Sequence, residues 1–283
     1  MQEDGDAGKA ADVAQASKMV HTVIGPAVFM NVLSAALLFS ARQALALEML
    51  TDSVSVVQFL TRLASGGAVV EFLLNPVFGK LSDSFGRRKI IPLGNIAALL
   101  CRALVFAFPT GIWAYVLEQS ICTCFITSFF TTWRAAIADL TEGAPRAYAI
   151  NCAKAGMFAG LGVICGPILS TAIMARAGAR YCFATSVGIS SVCVGHLLMN
   201  FKETLPVADR QPMNWFQAQP LSFLQLITAS RPLATLMAVT GLQTLSEGRN
   251  TTDVASIYMR EDLEWSWPQV RGTTLRYELT ESG

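Results

Sequence analysis

Charged side chains are scarce in this sequence, and their scarcity excludes an ordinary soluble protein. Only 14% of the 283 residues are Asp, Glu, Lys or Arg, whereas 53% are hydrophobic. A soluble domain is about one-quarter charged. The formal net charge of +1 also argues against a nucleic-acid partner, which would need a strongly basic surface. The composition therefore predicts an integral membrane protein whose main surroundings are the lipid bilayer.

Patterns that carry catalysis or bind metals are also missing from the sequence. The seven cysteines include no CxxC pair and form no Cys/His cluster with metal-ligand spacing. No nucleophile–base pair or phosphate-binding loop is visible either. We interpret the cysteines as small residues that pack between helices, and we expect no metal, no cofactor and no enzymatic activity.

The N-terminal residues show no signal-peptide pattern. Residues 1–18 are polar and their charged side chains are mostly acidic, without the basic region and apolar region that a signal peptide has in that order. We therefore expect 1–18 to be a cytoplasmic tail, and the first hydrophobic run to remain in the protein as its first membrane span.

What the sequence does contain is a series of six hydrophobic runs. Each is about 20 residues or more, long enough for a helix to cross a hydrocarbon layer about 30 Å thick. The pattern predicts an all-α membrane protein. The predicted spans are Val20–Ala41, Val56–Phe78, Ile90–Phe108, Ile112–Ala138, Cys152–Ala175 and Tyr181–Phe201.

The character of the chain changes after the sixth run. Residues 207–231 are polar or mildly amphipathic and predict a cytoplasmic linker, with a short surface helix at about Trp215–Leu226. Residues 232–260 contain a weaker, interrupted apolar stretch, which we interpret as a partial seventh helix. The tail, 261–283, has no predicted span, and we expect it to be truncated or divergent.

The segment Gly79–Lys89 joins the second and third predicted spans and carries a recognisable motif. It reads Gly79-Lys80-Leu81-Ser82-Asp83-Ser84-Phe85-Gly86-Arg87-Arg88-Lys89. We predict a tight turn here, because glycine adopts positive φ or allows close helix approach. Its basic residues place the turn, and with it the N-terminus, on the cytoplasmic side. The same assignment puts Arg42 in an outer connection.

This pattern, G-x-L-x-D-x-x-G-R-R-K, resembles the loop between helices 2 and 3 of the major facilitator superfamily of secondary transporters. The resemblance implies a six-helix N-terminal bundle over residues 19–206 and an incomplete C-terminal half. It also implies alternating-access transport of a small-molecule substrate, bound between the two halves. A membrane binding or sensor protein that does not transport, or an inactive truncated fragment, is the alternative. A true half-length chain would be expected to self-associate.

Three further motifs resemble the drug:proton antiporter branch related to tetracycline exporters, which implies protons as a second partner. Asp139 and Arg146 stand at a helix 4–5 junction like that of this branch. Residues 201–206, Phe-Lys-Glu-Thr-Leu-Pro, are similar to its helix 6 ending. The Arg-x-x-x-Gly motif of helix 4 is absent between Ile112 and Ala138, which weakens the case for proton coupling.

The third motif lies in the fifth span. Gly162, Gly166 and Pro167 match most of the helix 5 motif G-x-x-x-G-P-x-x-G, with Ser170 in place of the last glycine. Small residues four apart allow helices to approach closely. In the resembled family this element seals the contact between halves, so we expect the glycine face to lack a partner within one half.

The charged residues of two junctions are candidates for a conformational latch on the inner face. We expect Asp83 to pair with a helix N-terminus or with Arg146, and the basic residues, Arg87 first, to pair with Asp139. The glycines of the motif, Gly79 and Gly86, would shape the turn. The alternative is that the basic residues only set the membrane topology.

Several ionisable residues inside the spans are candidates for the substrate or proton pathway, because charge in a membrane is costly and usually functional. Arg62, Arg102 and Glu118 lie at similar predicted depth, and we rank Arg62 and Glu118 above Arg102. Snorkelling to the interface is the alternative. Glu71 and Asn75 share one helix face and predict a proton-carrying site, or a packing contact with Asn75 as interhelical glue.

Overall fold

A computed structural model describes residues 13–50, 53–212, 229–246, 258–259, 263 and 265. The predicted surface helix at Trp215–Leu226, most of the tail and the N-terminal residues 1–12 lie outside these ranges. Within them the regular structure is helical. Its elements are α1 (Val13–Met49), α2 (Ser53–Phe85), α3 (Arg87–Ala107), α4 (Ile112–Leu140), α5 (Pro145–Arg176), α6 (Ala179–Asn200), a 3-10 turn (Val207–Asp209) and α7 (Arg231–Ser246).

The six predicted spans are confirmed as helices α1 to α6, each long and apolar enough to cross a membrane. Most are longer than predicted, because polar residues at their ends continue the helix. The helix α7 begins at Arg231 and has 16 residues, about 24 Å of helix at 1.5 Å per residue.

The junction between α2 and α3 differs from the predicted turn at Gly79–Lys89. Residues 79–85 continue α2, and α3 begins at Arg87, so the break is Gly86 alone. The φ of Gly86 is 96°, which a side-chain-bearing residue rarely adopts. Gly79 is helical and has no part in the reversal. The prediction of a tight turn over Gly79–Lys89 was therefore wrong in its extent, and the need for positive φ applies to one glycine.

The helix α1 is not uniform. A π-helical turn occupies Val20–Ile24, followed by α-helical segments Gly25–Ala36 and Leu38–Met49 with a break at Leu37. Single π turns inside α-helices are frequent at functional sites. The break at Leu37 lies where α1 meets α5.

The six helices pack in the order α2, α4, α3, α6, α1, α5. This order places α3 against α4 and α6, whereas α2 and α5 lie at the two edges. The edge helices leave large apolar side chains exposed. Examples are Val69, Phe72 and Leu73 on α2 and Met157, Leu161 and Ile168 on α5.

The two largest apolar clusters of the bundle lie one towards each end. The first includes Val20, Ile24 and Phe129, and the second includes Leu38, Tyr115 and Phe183 among others. Between them, along α1, α3 and α6, lies a layer of buried polar side chains. Its members are Asn31, Ser34, Asn95, Arg102, Ser186 and Ser190.

The glycine face of α5 packs against α1. A Cβ at Gly162 would lie 2.9 Å from the backbone N of Leu33, and a Cβ at Gly166 would lie 2.5 Å from the Cβ of Ala36. Such distances leave no room for a side chain. The expectation that this face would lack a partner within the bundle was therefore wrong, because α1 occupies it. Pro167 lies inside α5.

Candidate functional site

One group of charged residues, which we name the helix-end cluster, gathers where α2 and α4 end and α3 begins. It consists of Asp83, Arg87, Asp139 and Glu203. The guanidinium of Arg87 donates hydrogen bonds to the carboxylates of Asp83 at 2.6 Å and Asp139 at 3.1 Å, and to Ser82 at 2.9 Å. One arginine thus joins three helices, although the two aspartates lie far apart in sequence.

Glu203 completes this cluster and was not among the predicted site residues. Its carboxylate accepts a hydrogen bond from the backbone N–H of Arg87 at 2.9 Å. The first N–H groups of a helix lack partners within the helix, and a carboxylate there is stabilised by the helix dipole. A Cβ at Gly86 would overlap this carboxylate. The motif at 201–206 was noticed in the sequence, but its spacing from Arg87 gave no sign of contact.

The segment that follows α6 lies across the same end of the bundle. The hydroxyl of Thr204 donates to Asp139 at 3.2 Å, and the backbone N–H of Gln211 donates to the carbonyl of Asp83 at 3.3 Å. Arg210 forms an ion pair with Glu203 at 3.3 Å. The junctions of α2, α3, α4 and α6 therefore meet in one network.

Two predicted members of the latch lie apart from this network. Arg146 is exposed near the start of α5, and in the described part of the chain Asp83 pairs with Arg87 instead. Gly79 lies in α2 with open space where a Cβ would point. The structure brings Asp83, Gly86, Arg87 and Asp139 together and leaves Arg146 and Gly79 outside.

A second group, which we name the buried cluster, consists of Arg42, Arg102 and Glu118. Arg42 on α1 donates two hydrogen bonds to Glu118 on α4, at 3.0 Å from Nε and 2.5 Å from Nη2. Arg102 on α3 places its Nε 3.9 Å from the same carboxylate. Their exposed side-chain fractions are 8%, 2% and 1% for Arg42, Arg102 and Glu118. Two arginines thus share one carboxylate inside the bundle.

Buried serines extend this cluster to α6. Arg102 donates through Nη1 to Ser34 and, at 2.9 Å, to Ser190. The hydroxyl of Ser34 also lies 2.9 Å from that of Ser186. Hydroxyl groups accept from a guanidinium and donate to one another, so the serines solvate Arg102 without adding a negative charge.

The predicted pathway residues divide between this cluster and other places. Glu118 and Arg102 meet, as their equal depth allowed, but Arg62 is exposed on α2. The partner that the sequence prediction missed is Arg42, because α1 continues to Met49 and carries Arg42 inside the bundle. Extending the first predicted span beyond Ala41 would have placed Arg42 inside the bundle.

Glu71 and Asn75 lie elsewhere, at the contact of α2 with α4. The hydroxyl of Thr127 on α4 donates to Glu71 at 2.6 Å. The Oδ1 atom of Asn75 is buried without a hydrogen-bond partner among the described residues. Among the described residues, neither side chain bonds to the helix-end cluster or to the buried cluster. Within the described ranges, the structure contains no group of three or more His, Cys, Asp or Glu side chains that could hold a metal ion.

Six apolar helices with internal charge clusters define an integral, multi-pass helical membrane protein. The family model described as Major Facilitator Superfamily matches residues 24–275. Because this match covers most of the chain, the chain belongs to the major facilitator superfamily. Members of this family are transporters, and membrane transport is the general activity that the family assigns to the chain.

A solved structure has a similar fold. The crystal structure described as the human organic anion transporter MFSD10 (TETRAN) aligns with a TM-score of 0.70 and 19% sequence identity, over 89% of this chain and 67% of that one. At this identity the likeness concerns the fold. No curated protein matches the chain.

Proposed function

We propose that this chain moves a small molecule across a membrane by alternating access, as a secondary transporter. The helix-end cluster carries the proposal, because a single arginine there holds the ends of α2, α3 and α4. Alternating access needs two states of similar free energy, with contacts that hold one state and break in the other. We assign the role of such a latch to this cluster.

The partial exposure of the cluster supports this role. The side chains of Asp83 and Asp139 are 35% and 20% exposed. Ion pairs in contact with water contribute about 0–1 kcal/mol each, so several together hold a state without locking it. Water reaches these two carboxylates, whereas the side chain of Arg87 is 9% exposed. The cluster is therefore strong enough to bias the equilibrium and weak enough to open.

The exposed apolar faces of α2 and α5 support the second part of the proposal, which concerns where the substrate binds. Large exposed apolar surfaces mark contacts with other proteins or with lipid. We propose that these faces meet a second helical bundle, and that the substrate binds between the two bundles near the middle of the membrane. That bundle belongs either to the same transporter or to a second copy of this chain.

Orientation and proton coupling are the finer parts of the proposal. Lys80, Arg88 and Lys89 surround the helix-end cluster in sequence, and basic residues favour the cytoplasmic side, so we place this end and the N-terminus there. Glu71, hydrogen-bonded to Thr127, is the proposed proton carrier of an exporter related to the drug:proton antiporters.

Reconstitution into proteoliposomes tests the proposal. We would follow uptake of amphipathic cations, sugars and organic anions, the last class being the one named for the similar human structure. Substitution Arg87→Gln should lower the transport rate about tenfold, equivalent to about 1.4 kcal/mol of barrier. Arg146→Gln, an exposed arginine of the neighbouring junction, is the matched control and should transport normally.

Two results would contradict the proposal. Absence of flux for every compound, with and without a pH gradient, would argue for a binding or sensor protein on this fold. Equal transport rates for Arg87→Gln and Arg146→Gln, at equal amounts of folded protein by size-exclusion chromatography, would contradict the latch role while leaving the transport proposal intact.

The proton carrier has its own test. If flux depends on a pH gradient and this dependence is lost in Glu71→Gln, Glu71 is the proton carrier.

A further inference from the structure

The side chains of the buried cluster together carry a net positive charge. Arg42 and Arg102 carry two positive charges, and Glu118 carries one negative charge. The remaining contacts of Arg102 are to the neutral hydroxyls of Ser34 and Ser190. A charge inside a membrane protein is costly unless it is paired, so this region favours the arrival of one more negative charge.

Unused hydrogen-bond donors accompany this charge. Within the described part of the chain, the Nη2 and Nε atoms of Arg102 and the hydroxyl of Tyr115 are buried without a hydrogen-bond partner. Tyr115 is 1% exposed and lies three residues before Glu118, so the two project from α4 on the same side. Buried polar groups are normally satisfied, and donors left over beside excess positive charge suit an anion.

A narrow cleft reaches this place from the side of the bundle formed by α1, α2 and α4. It is lined by Phe39, Arg42, Gln43, Leu60, Leu63, Ala64, Tyr115 and Gln119. Its volume is about 20 Å³, which is room for one water molecule. The lining is apolar on α2, whereas α1 and α4 contribute polar side chains that include Arg42 and Tyr115.

We propose that the buried cluster recognises an anionic group of the transported molecule, and that the substrate is a small organic anion with an apolar body. This inference rests on the proposed transport function and names the substrate class. The carboxylate of the substrate binds Arg42 and the Tyr115 hydroxyl, which both line the cleft. Its apolar body lies outside the cleft, which has room for about one water molecule, and packs against the exposed ring of Phe39.

In the structure, the carboxylate of Glu118 fills the place of the substrate's anion. It makes a two-point contact with Arg42, which is the geometry that a guanidinium offers to any carboxylate. When the substrate binds, Glu118 turns from Arg42 towards Arg102, whose Nε is already 3.9 Å away. Each arginine then has one carboxylate, and the excess charge is neutralised.

Three probes of equal shape and different charge test this inference: 2-naphthoate, 2-naphthamide and 2-naphthamidine. Binding of each radiolabelled probe is measured by equilibrium dialysis, with the full chain in phosphatidylcholine nanodiscs. We expect 2-naphthoate to bind, and the neutral and cationic probes to bind at least about tenfold more weakly, the scale of one hydrogen bond to a charged group.

Two substitutions in the buried cluster have opposite expected effects. Arg42→Gln should weaken 2-naphthoate binding about tenfold or more, because it removes the anion's main partner. Glu118→Gln should strengthen binding, because it keeps a hydrogen-bond acceptor but removes the competing charge. A purely structural ion pair would not produce this gain. Arg62→Gln, an exposed arginine on α2, is the matched control and should bind like the unchanged protein.

The outcomes separate this inference from the transport proposal. Selective 2-naphthoate binding with these opposite effects supports the anion site, even if flux is absent. The inference is overturned if 2-naphthamide or 2-naphthamidine binds as well as 2-naphthoate, or if Arg42→Gln and Arg62→Gln bind alike. It is also overturned if phosphatidylserine in the nanodisc abolishes 2-naphthoate binding, since a lipid headgroup would then be the occupant. If the protein transports only cations or sugars, the transport proposal is supported and the assignment of an anionic substrate is contradicted.

Discussion

The helix-end cluster and the buried cluster are both built around arginine, but they differ in charge balance and in contact with water. At the helix ends the guanidinium of Arg87 donates hydrogen bonds to the carboxylates of Asp83 and Asp139, and its backbone N–H donates one to Glu203. In the buried cluster two arginines share Glu118. The first therefore has spare negative charge near water, and the second has spare positive charge away from it.

Because of this difference, the ion pairs of the helix-end cluster are suited to break, and the buried cluster is suited to bind a ligand. Removing one partner of a buried ion pair leaves a charge without solvation, whereas water replaces a lost partner near the surface. Contacts at the helix ends can break and re-form at small cost. The buried cluster changes only when another group with the right charge takes over a contact.

Among substitutions that test the difference between the two clusters, Glu118→Leu should have the largest effect on stability. This substitution leaves Arg42 and Arg102 buried without a counter-charge, and we expect it to lower the free energy of unfolding by about 3–5 kcal/mol. Asp139→Leu at the helix ends should cost about 1 kcal/mol, because Asp139 is partly exposed and Arg87 keeps Asp83 as a counter-charge. Reversible unfolding by SDS in mixed micelles measures both values.

Arg42→Met sharpens the same test. Glu118 still has Arg102 nearby in this variant, so the loss of unfolding free energy should be smaller than for Glu118→Leu. If Arg42→Met is the costlier substitution, or if Asp139→Leu matches Glu118→Leu, the distinction between the clusters does not hold.

An intermediate effect is expected at Gly86, which forms the break between α2 and α3. Its φ of 96° and ψ of 152° lie in a region that is almost exclusive to glycine, so Gly86→Ala should cost about 1–3 kcal/mol. The new Cβ would also displace Glu203. Unfolding in mixed micelles again gives the magnitude, and the transport rate should fall with it.

Gly79→Ala is the matched control from the same motif. Gly79 is inside α2 with open space around it, and alanine favours a helix over glycine by about 0.5–1 kcal/mol. We therefore expect a small gain in stability and unchanged transport. A loss equal to that of Gly86→Ala would show that the whole motif, and not one backbone conformation, is required.

The smallest effect is expected from Arg210→Gln at the rim of the helix-end cluster. The Arg210–Glu203 pair at 3.3 Å is about one-quarter exposed, so its removal should cost at most about 1 kcal/mol. The loss should shrink as salt rises from low to physiological concentration, since salt screens exposed charges. A salt-independent loss measured by the same unfolding assay would mean that Arg210 contributes by packing.

The helices were predictable because membrane burial acts on each segment separately. A run such as Ile112–Ala138 must satisfy its backbone groups internally wherever it crosses lipid, so its own composition determines that it is a helix. The ends were less predictable. Residues 79–85 are polar enough to look like a loop, yet they continue α2, because polarity ends membrane burial without ending a helix.

The candidate site was predictable only in part. Asp83, Arg87 and Asp139 were expected near one another from the resemblance, whereas Glu203 and Arg42 were missed. Their partners are distant in sequence, and the rotational phase of a helix about its axis is set by packing. The glycines at 162 and 166 illustrate the same point. Their spacing predicted a close helix contact, but it could not identify α1 as the partner.

The sequence by itself therefore determined the class of protein, the number of spans in the six-helix bundle and the segment, Gly79–Lys89, in which α2 and α3 are connected. Each of these depends on local composition. Only the tertiary structure decided which charges share a partner. The helix order α2, α4, α3, α6, α1, α5 brings Arg42, Arg102 and Glu118 together from three helices, and the energies of such contacts depend on packing and burial rather than on sequence spacing.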